Sequence, residues 1–315
     1  MCTALSFRCG DHYFGRNLDV EGSYGEGVVI TPRNFSFRFR HIGTLDRHYA
    51  MIGMAKVVEG YPLYFDGTNE KGLSIAGLNF PGNAKYHSYR AEKKNIASFE
   101  VIPYILSTCS SVKEAETLLS DGNITQDSFC PDLPPSPLHW LISDDKYSIV
   151  LESTEDGTMI YENPYDVLTN NPPFPYHLEN IHQYMGLHEG LEENRFSPDL
   201  PLKNISLGFG AVGLPGDFSG ISRFVKAVFV KEKIKSYGSE KENVQHFFHI
   251  LSSVAMPKGC VRMEHGPYEY TRYSSCCNTN TGVYYFNTYY DLSVRNVPLQ
   301  GVDLEESNLF KYPIE

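Results

Sequence analysis

The order in which strand-like and helix-like segments follow one another is the strongest constraint on this fold. Alternating runs rich in Val, Ile, Tyr and Phe fill the first third of the chain, and two helical segments follow from residue 98. Strand-like runs return between residues 139 and 169, two amphipathic helices begin near residues 221 and 244, and an aromatic hairpin comes last. Such grouping is typical of antiparallel sheets covered by segregated helices, not of alternating βαβ units. We therefore predict an α+β fold.

The length of the chain and its lack of linkers indicate the number of domains. The chain has 315 residues, 41% of them hydrophobic, so it can bury a large core. It contains neither an internal repeat nor a linker that would separate domains, and large folds containing β-sheets can use this much chain as one unit. We predict a single domain over residues 2–315, with an irregular excursion in the Pro- and Gly-rich stretch from 172 to 220.

Charge and composition exclude several classes of partner. The chain has 27 Lys and Arg against 38 Asp and Glu, and no basic stripe offsets the formal charge of −11, so we expect no nucleic-acid partner. No basic segment followed by an apolar run lies near Met1 and no apolar run reaches transmembrane length, so we expect neither a secretory signal nor a membrane partner. Seven cysteines without paired metal-type spacing favour a reducing cytoplasm with free thiols.

Three motifs resemble cofactor or metal sites but are better explained otherwise. Residues 208–213 have the G-x-G-x-x-G spacing, yet Leu-Pro-Gly follows instead of a helix, which argues against dinucleotide binding. His246 and His249 lie on a predicted amphipathic helix without a third ligand. Cys276 and Cys277 are too close together for a CxxC redox motif, so we predict that they pack in a strand. We predict neither a metal nor an organic cofactor.

Cys2 is the residue that suggests a chemistry. Because it follows Met1 and is small, removal of Met1 would leave a cysteine with a free α-amine. A thiol and a base with a pKa of about 7.7 would then share one residue. The amine can take the thiol proton and later protonate a leaving nitrogen, so no separate histidine is needed. The alternative is that a cysteine stands at position two by chance and has no catalytic role.

The segment that follows Cys2 brings charge to it. Residues 13–19 come one hairpin turn later and return beside the N-terminus. Arg16 can stabilise a thiolate, and Asp19 can hold the α-amine. An Arg/Asp pair on the surface has the same spacing, so spacing alone leaves both interpretations open.

Several further stretches make the chain resemble the choloylglycine hydrolase family, which contains bile salt hydrolases and penicillin V acylases. Cys2 and the run Phe-Gly-Arg-Asn-Leu-Asp match the opening of that family. The likeness then continues in the family's order at residues 69–73, 76–81, 168–172, 222–225, and 269–271 with 273–276. Because these stretches span nearly the whole chain in register, they make the resemblance specific.

The resemblance implies a set of catalytic residues. Cys2 would be the nucleophile, with Arg16 and Asp19 as the charged residues around it. Asn79 and Asn170 would orient the amine and line the oxyanion hole, where amide and backbone N–H groups meet the developing charge. Arg223 would keep the site electropositive.

The resemblance also implies an architecture and a substrate surface. The fold would be an N-terminal-nucleophile hydrolase αββα sandwich, with two antiparallel sheets between helical layers. The assembly would be a homotetramer, with the excursion near residues 185–220 reaching onto a neighbouring subunit. Seven apolar or aromatic residues would face a steroid, unless some of them simply fill the core: Val20, Tyr24, Val58, Tyr64, Phe65, Leu133 and Leu138.

These implications lead to a functional hypothesis. We predict that the chain cleaves the amide between a bile acid and glycine or taurine through a thioester on Cys2. Asn79 favours bile salts, because penicillin V acylases tend to carry tyrosine at that position. Penicillin V acylase or another N-acyl amide hydrolase of the family is the alternative. A catalytically inactive binding relative is the alternative from another class, and no papain-like signature surrounds any cysteine.

Overall fold

The computed structural model describes residues 1–236, 238–264 and 266–314. The α-helices within these ranges are α1 (Val101–Thr108), α2 (Val112–Ser120), α3 (Phe174–Asn180), α4 (Gly220–Lys233) and α5 (Glu240–Ser252). The strands are β1 (Cys2–Cys9), β2 (Asp11–Val20), β3 (Gly27–Thr31), β4 (Phe37–Phe39), β5 (Gly43–Leu45), β6 (Met51–Val58), β7 (Tyr61–Tyr64), β8 (Asp66–Asn69), β9 (Ser74–Asn79), β10 (Lys94–Ala97), β11 (Gly122–Thr125), β12 (Leu138–Ser143), β13 (Ser148–Thr154), β14 (Gly157–Glu162), β15 (Val167–Leu168), β16 (Val261–Arg262), β17 (Tyr268–Asn278), β18 (Val283–Thr288), β19 (Arg295–Pro298) and β20 (Phe310–Pro313).

Two large antiparallel sheets hold most of these strands. One sheet has seven strands, in the order β15-β1-β2-β17-β18-β19, with β16 paired to β17. The other has nine, in the order β14-β13-β12-β9-β8-β6-β3-β20, with β7 paired to β6. The two-stranded pairs β4-β5 and β10-β11 lie outside them.

The sheets and helices form four layers. Helices α4 and α5 pack on the seven-stranded sheet, and helices α1 and α2 pack on the nine-stranded sheet. One hydrophobic core lies between the sheets and continues under α4 and α5, while a second fills the space beneath α1 and α2. This confirms the predicted α+β sandwich of two antiparallel sheets between helical layers. No helix in the described part of the chain has the length and apolar character to cross a membrane.

The β1–β2 hairpin places the N-terminal segment in the middle of a sheet. Gly10 turns the chain with a φ of +70°, which glycine adopts without strain. Cys2 then pairs with Leu18, at the far end of the hairpin. A Cβ on Gly15 would lie 2.0 Å from the carbonyl oxygen of Ser275, so only glycine lets β17 approach β2 this closely. The glycine of the Phe-Gly-Arg-Asn run is therefore a packing requirement.

Serine side chains cap three of the helices, and the sequence predicts the first of these caps at Ser111. Ser111 caps α2 by accepting a hydrogen bond from the backbone N–H of Glu114, as expected for a capping box. Ser219 and Ser239 cap α4 and α5 in the same way. Both helices bury the apolar stripe that their periodicity predicts.

The sequence predicts a turn over residues 67–72, a strand pair at 158–161 and 166–169, and an irregular stretch over 172–220, and each differs in the structure. Residues 67–69 belong to β8, so the turn is shorter than predicted. Strands β14 and β15 lie in different sheets, because Asp166 turns with a φ of +59° and carries the chain across to β1. Helix α3 lies inside the stretch predicted to be irregular. From 185 to 219 the described chain has only one short 3-10 turn, and several large apolar side chains there are exposed: Met185, Phe196, Ile205, Leu207 and Val212.

Candidate active site

A cavity of about 440 Å³ opens beside the N-terminal strand. We call its buried end, formed by Cys2, Arg16 and Leu18, the floor, and its outer rim, formed by Tyr24, Leu133 and Met263, the mouth. The remaining lining residues come from both sheets, from the short 3-10 helix Ser98–Glu100 and from loops, mainly the loop after β11. They are Val20, Glu21, Lys56, Leu63, Tyr64, Phe65, Gly77, Asn79, Ser98, Phe99, Phe129, Pro134, Pro135, Ser136, Pro137, Leu138 and Glu269.

The backbone of Cys2 is held on both sides of its thiol. Its N–H donates to Oδ1 of Asn170 at 2.7 Å, and its carbonyl oxygen accepts from Nη1 of Arg223 at 2.5 Å. Nη2 of Arg223 also donates to Oδ1 of Asn170, at 2.7 Å. Cys2 itself is only 3% exposed and lines the cavity. The thiol therefore has a fixed position at the floor.

Asn170 contacts Asn79, the other asparagine that the family resemblance assigns to the active site. Its side-chain amide donates to the carbonyl oxygen of Asn79 at 2.6 Å, and Asn79 lines the cavity. Its Oδ1 faces the Cys2 nitrogen, which is the position an amine-orienting acceptor needs. Asn79 and Asn170 therefore lie in contact at one wall of the floor.

Two buried histidines, His139 and His177, support this wall from behind, and no motif in the sequence pointed to them. Nε2 of His139 donates to the carbonyl oxygen of Thr169 at 2.9 Å, and Nδ1 of His139 lies 3.1 Å from the carboxylate of Glu152. Nε2 of His177 lies 3.1 Å from the carbonyl oxygen of Asn170. Burial lowers the pKa of His177 to about 4, so this imidazole is neutral at pH 7. The segment that carries Asn170 is fixed by groups from two other elements.

Arg16 brings a buried cation to the floor. Its Nη1 donates to the carbonyl oxygens of Phe65 at 3.0 Å and Gly77 at 2.5 Å. Burial alone would lower its pKa, but the neighbouring Cys2, Tyr273 and Asp66 outweigh this and raise it. The guanidinium therefore stays charged next to the thiol.

Asp66 balances that cation, and sequence reasoning did not identify it. Its carboxylate accepts hydrogen bonds from the hydroxyls of Tyr273 and Tyr284, each at 2.7 Å. Burial raises the pKa of Asp66, against the opposing influence of Arg16. The three residues come from β8, β17 and β18, so no local sequence pattern connects them.

Asp19 lies under the N-terminus and is fully buried. Its Oδ1 accepts from the hydroxyl of Thr271 at 2.6 Å, and its Oδ2 lies 3.9 Å from Nη1 of Arg223. Burial raises the pKa of Asp19, although Arg223 acts in the opposite direction. Thr271 reaches Asp19 next to a bulge between Thr271 and Tyr273, where β17 shifts its register against β2.

The Met1 ammonium lies against Glu269, a further site residue that the sequence did not predict. It donates to the carbonyl oxygen of Asp19 at 2.7 Å and to the carboxylate of Glu269 at 2.6 Å. Glu269 also lines the cavity. It lies within a stretch that carries the family resemblance, but its role became visible only from its position.

The apolar wall contains most of the residues predicted to face a substrate. Val20, Tyr24, Tyr64, Phe65, Leu133 and Leu138 line the cavity, and the ring of Tyr24 stacks on Phe65 with centroids 6.1 Å apart. Val58 is a correction: it is not among the lining residues, and it pairs with Tyr61 at the end of the β6–β7 hairpin. Phe99, Phe129 and Met263 line the cavity without having been predicted.

The loop behind Tyr24 is anchored by a buried ion pair. Nε of Arg272 donates to Glu26 at 2.7 Å, and the other oxygen of Glu26 accepts from the backbone N–H of Tyr24 at 2.7 Å. Although burial opposes it, these hydrogen bonds lower the pKa of Glu26. The Glu26 carboxylate thereby holds the backbone of Tyr24 in place at the mouth.

The motifs that resemble cofactor sites have structural roles. Gly208 has a φ of +78° and precedes a three-residue turn, not a helix. Cys276 and Cys277 are buried in β17, and burial raises the pKa of Cys277 to about 12. All seven cysteines have free thiols. Within the described ranges, no group of three or more His, Cys, Asp or Glu side chains is arranged to hold a metal ion.

The chain is similar to known proteins over its whole length. The family model for linear amide C–N hydrolases of the choloylglycine hydrolase family matches residues 2–312. A bile salt hydrolase/transferase from Lactiplantibacillus plantarum is 48% identical over 100% of this chain and 97% of its own. A conjugated bile acid hydrolase from Lactobacillus gasseri is 38% identical over 99% of this chain and 100% of its own. A solved variant of the conjugated bile acid hydrolase from Clostridium perfringens superposes with a TM-score of 0.93 at 35% identity, covering 100% of this chain and 97% of its own.

Proposed function

Because the chain belongs to the choloylglycine hydrolase family of linear amide C–N hydrolases, we propose that it cleaves conjugated bile salts with Cys2 as the nucleophile. One observation carries the proposal: the Cys2 thiol lies on the floor of an apolar cavity, with its own nitrogen held 2.7 Å from Oδ1 of Asn170. Relatives named for bile salt or conjugated bile acid hydrolysis match the chain end to end, which supports the choice of substrate.

Removal of Met1 prepares the nucleophile. It converts the Cys2 peptide nitrogen into an amine, and Asn170 is already placed to accept a hydrogen bond from that nitrogen. The amine takes the thiol proton, and the thiolate attacks the amide carbonyl. A C–S bond forms, the C–N bond breaks, and the leaving nitrogen takes the proton from the amine. Water then cleaves the thioester and releases the bile acid.

The charges around Cys2 suit this sequence of steps. Arg16 and Arg223 are buried beside the thiol, and Asp19 and Asp66 are buried behind them. The two cations favour a thiolate, while the two carboxylates balance the buried charge. Asn79 lines the cavity together with Cys2, and its amide is the group we assign to the developing oxyanion.

The cavity fits the hydrocarbon body of the substrate. Its volume of about 440 Å³ lies within the range of small-molecule sites, and aromatic and aliphatic side chains form most of its lining. Flat rings such as those of Tyr24 and Phe65 offer contact to a steroid face. The amide at the end of the steroid side chain would reach the floor.

Transfer of the acyl group is the second candidate activity. A thioester on Cys2 can react with an amine in place of water, and the relative from Lactiplantibacillus plantarum is named as both hydrolase and transferase. The carboxylate of Glu269, which binds an ammonium at the cavity wall, favours this candidate specifically.

The irregular segment from 185 to 219 supports a proposal about assembly. Its exposed apolar side chains include Phe196, which is 84% exposed, and Leu207, which is 88% exposed. Such a surface is typical of a contact between protein chains. We therefore expect a homotetramer, which light scattering would measure, and the free thiols suit a cytoplasmic location.

Side-by-side rates with glycocholate, taurocholate and penicillin V test the substrate. We expect both bile salts to be cleaved faster than penicillin V, and a dominant penicillin V rate would contradict the proposal. Alkylation of trimmed protein with iodoacetamide tests the nucleophile. Labelling of Cys2 with loss of activity is expected, whereas an inert Cys2 would indicate a binding protein.

A further inference from the structure

We propose that Glu269 and the carbonyl oxygen of Asp19 form an ammonium subsite that receives the amine exchanged at the acyl-enzyme. The inference deepens the proposed function and depends on the Cys2 thioester. Its ligand class is a primary amine: the amino group released from the substrate, or that of an acyl acceptor.

The geometry of an ammonium in this subsite is already present. The Met1 α-ammonium lies 2.6 Å from Oε2 of Glu269 and 2.7 Å from the carbonyl oxygen of Asp19. These are the distances of charge-assisted hydrogen bonds. Three covalent bonds join this nitrogen to the Cys2 nitrogen, so the two nitrogens lie within about 4 Å of each other. The subsite is therefore next to the base that has to exchange a proton with the amine.

Both acceptors belong to strands, so they keep their places when Met1 is removed. Asp19 is in β2 and Glu269 is in β17, and these strands pair with each other. Glu269 and Thr271 are two residues apart in β17, which places their side chains on the same face. The hydroxyl of Thr271 donates to the carboxylate of Asp19. This hydrogen bond keeps the face of β17 that carries Glu269 next to the N-terminal end of β1.

Charge makes the subsite selective for cations. The Glu269 carboxylate is 13% exposed at its side chain and lines the cavity together with Cys2. Among the described residues, the cation paired with it is the Met1 ammonium. Arg223 donates instead to Cys2, Thr3 and Asn170. After trimming, the two acceptors offer hydrogen bonds to an incoming ammonium.

The transfer step balances as follows. An acceptor ammonium binds at Glu269 and gives one proton to the Cys2 α-amine. The neutral amine attacks the thioester carbonyl, a C–N bond forms, and the C–S bond breaks. The departing thiolate takes the proton from the Cys2 α-ammonium, which restores the thiol and the free amine, while the second proton of the amine leaves to solvent. In the opposite direction the same subsite holds the amino acid released by hydrolysis.

A partition experiment with the trimmed enzyme tests the subsite. Glycocholate serves as acyl donor, and mass spectrometry measures the ratio of amide product to free bile acid. Glycinamide is the cationic acceptor, and hydroxylamine is the nucleophile that is uncharged at neutral pH. For Glu269→Gln we expect the ratio with glycinamide to fall about tenfold, the usual value of a hydrogen bond to a charged group. The ratio with hydroxylamine should stay within twofold.

Controls separate the possible failures. Glu21→Gln removes another carboxylate that lines the cavity, and its ratio with glycinamide should not fall. The proposal is wrong if Glu269→Gln leaves the ratio of amide product to free bile acid unchanged with glycinamide. It is also wrong if that ratio falls equally with glycinamide and with hydroxylamine. Release of glycine from glycocholate without any added amine reports separately on the proposed function. Persistent hydroxylamine transfer in Glu269→Gln shows that the variant is folded.

Discussion

The floor and the mouth of the cavity are built in different ways. At the floor, Cys2 and Arg16 are buried in strands, and their polar groups are held by backbone carbonyls, buried side chains and a helix. At the mouth, Tyr24 and Met263 are each 40% exposed and lie outside the strands of the two large sheets. Rigid elements suit groups that must meet a reacting bond, and loops suit groups that only shape the entrance. Substitutions at the floor should therefore affect turnover or stability, whereas those at the mouth should affect mainly substrate affinity.

The largest effect is expected at the nucleophile. Cys2→Ala should lower kcat by at least about 10⁴-fold, because no other group supplies the covalent step. Cys276→Ala is the matched control, since this thiol is buried in β17 and burial raises its pKa. Steady-state rates with glycocholate measure both, and thermal unfolding should show that Cys2→Ala is folded. Comparable loss in the two variants would contradict the assignment.

A smaller effect is expected on stability at the back of the floor. Gly15→Ala would put its Cβ 2.0 Å from the carbonyl oxygen of Ser275, which forces β2 and β17 apart. We expect the free energy of unfolding to fall by about 3 kcal/mol. Gly22→Ala, in the loop beside the mouth, meets no atom within 4 Å and should change it by less than about 0.5 kcal/mol. Chemical denaturation distinguishes the two. Equal losses of unfolding free energy in the two variants would contradict the idea that the floor is packed more tightly than the mouth.

Asp19 allows activity and stability to be separated by pH. Burial raises its pKa above the ordinary 3.8, so the charged form is disfavoured in the folded protein at pH 7. Asp19→Asn removes this cost, so the variant should be no less stable than the parent at pH 7, although its activity falls about tenfold. As the pH falls through the raised pKa, Asp19 takes up a proton and the difference in stability should disappear. A stability gap that widens on acidification would contradict the account.

The smallest effect is expected at the mouth. Leu133→Ala removes apolar contact with the substrate, worth about 1 kcal/mol, so KM should rise about fivefold with kcat unchanged. Val58→Ala is the control, because Val58 lies outside the lining and its KM should match the parent. A larger loss in kcat than in KM at Leu133 would show that the mouth also positions the scissile bond.

The sequence predicted whatever depends on local pattern. The β1–β2 hairpin, the cap of α2 and the buried stripes of α4 and α5 follow from turn residues, a capping box and periodicity. Val58 was placed at the cavity through the family resemblance, which carries over a position but does not show which residues of β6 line the cavity. Asp66 and its two tyrosines were missed because they come together only when strands from distant parts of the chain pair and pack. Glu269 was missed because its significance depends on the ammonium beside it.

The mass of the acyl-enzyme tests the central claim most directly. Active protein mixed with glycocholate and quenched in acid should contain a species that lacks Met1 and carries one cholyl group on the peptide that begins with Cys2. Fully active protein that retains Met1, or a cholyl group attached at any other residue, would contradict it.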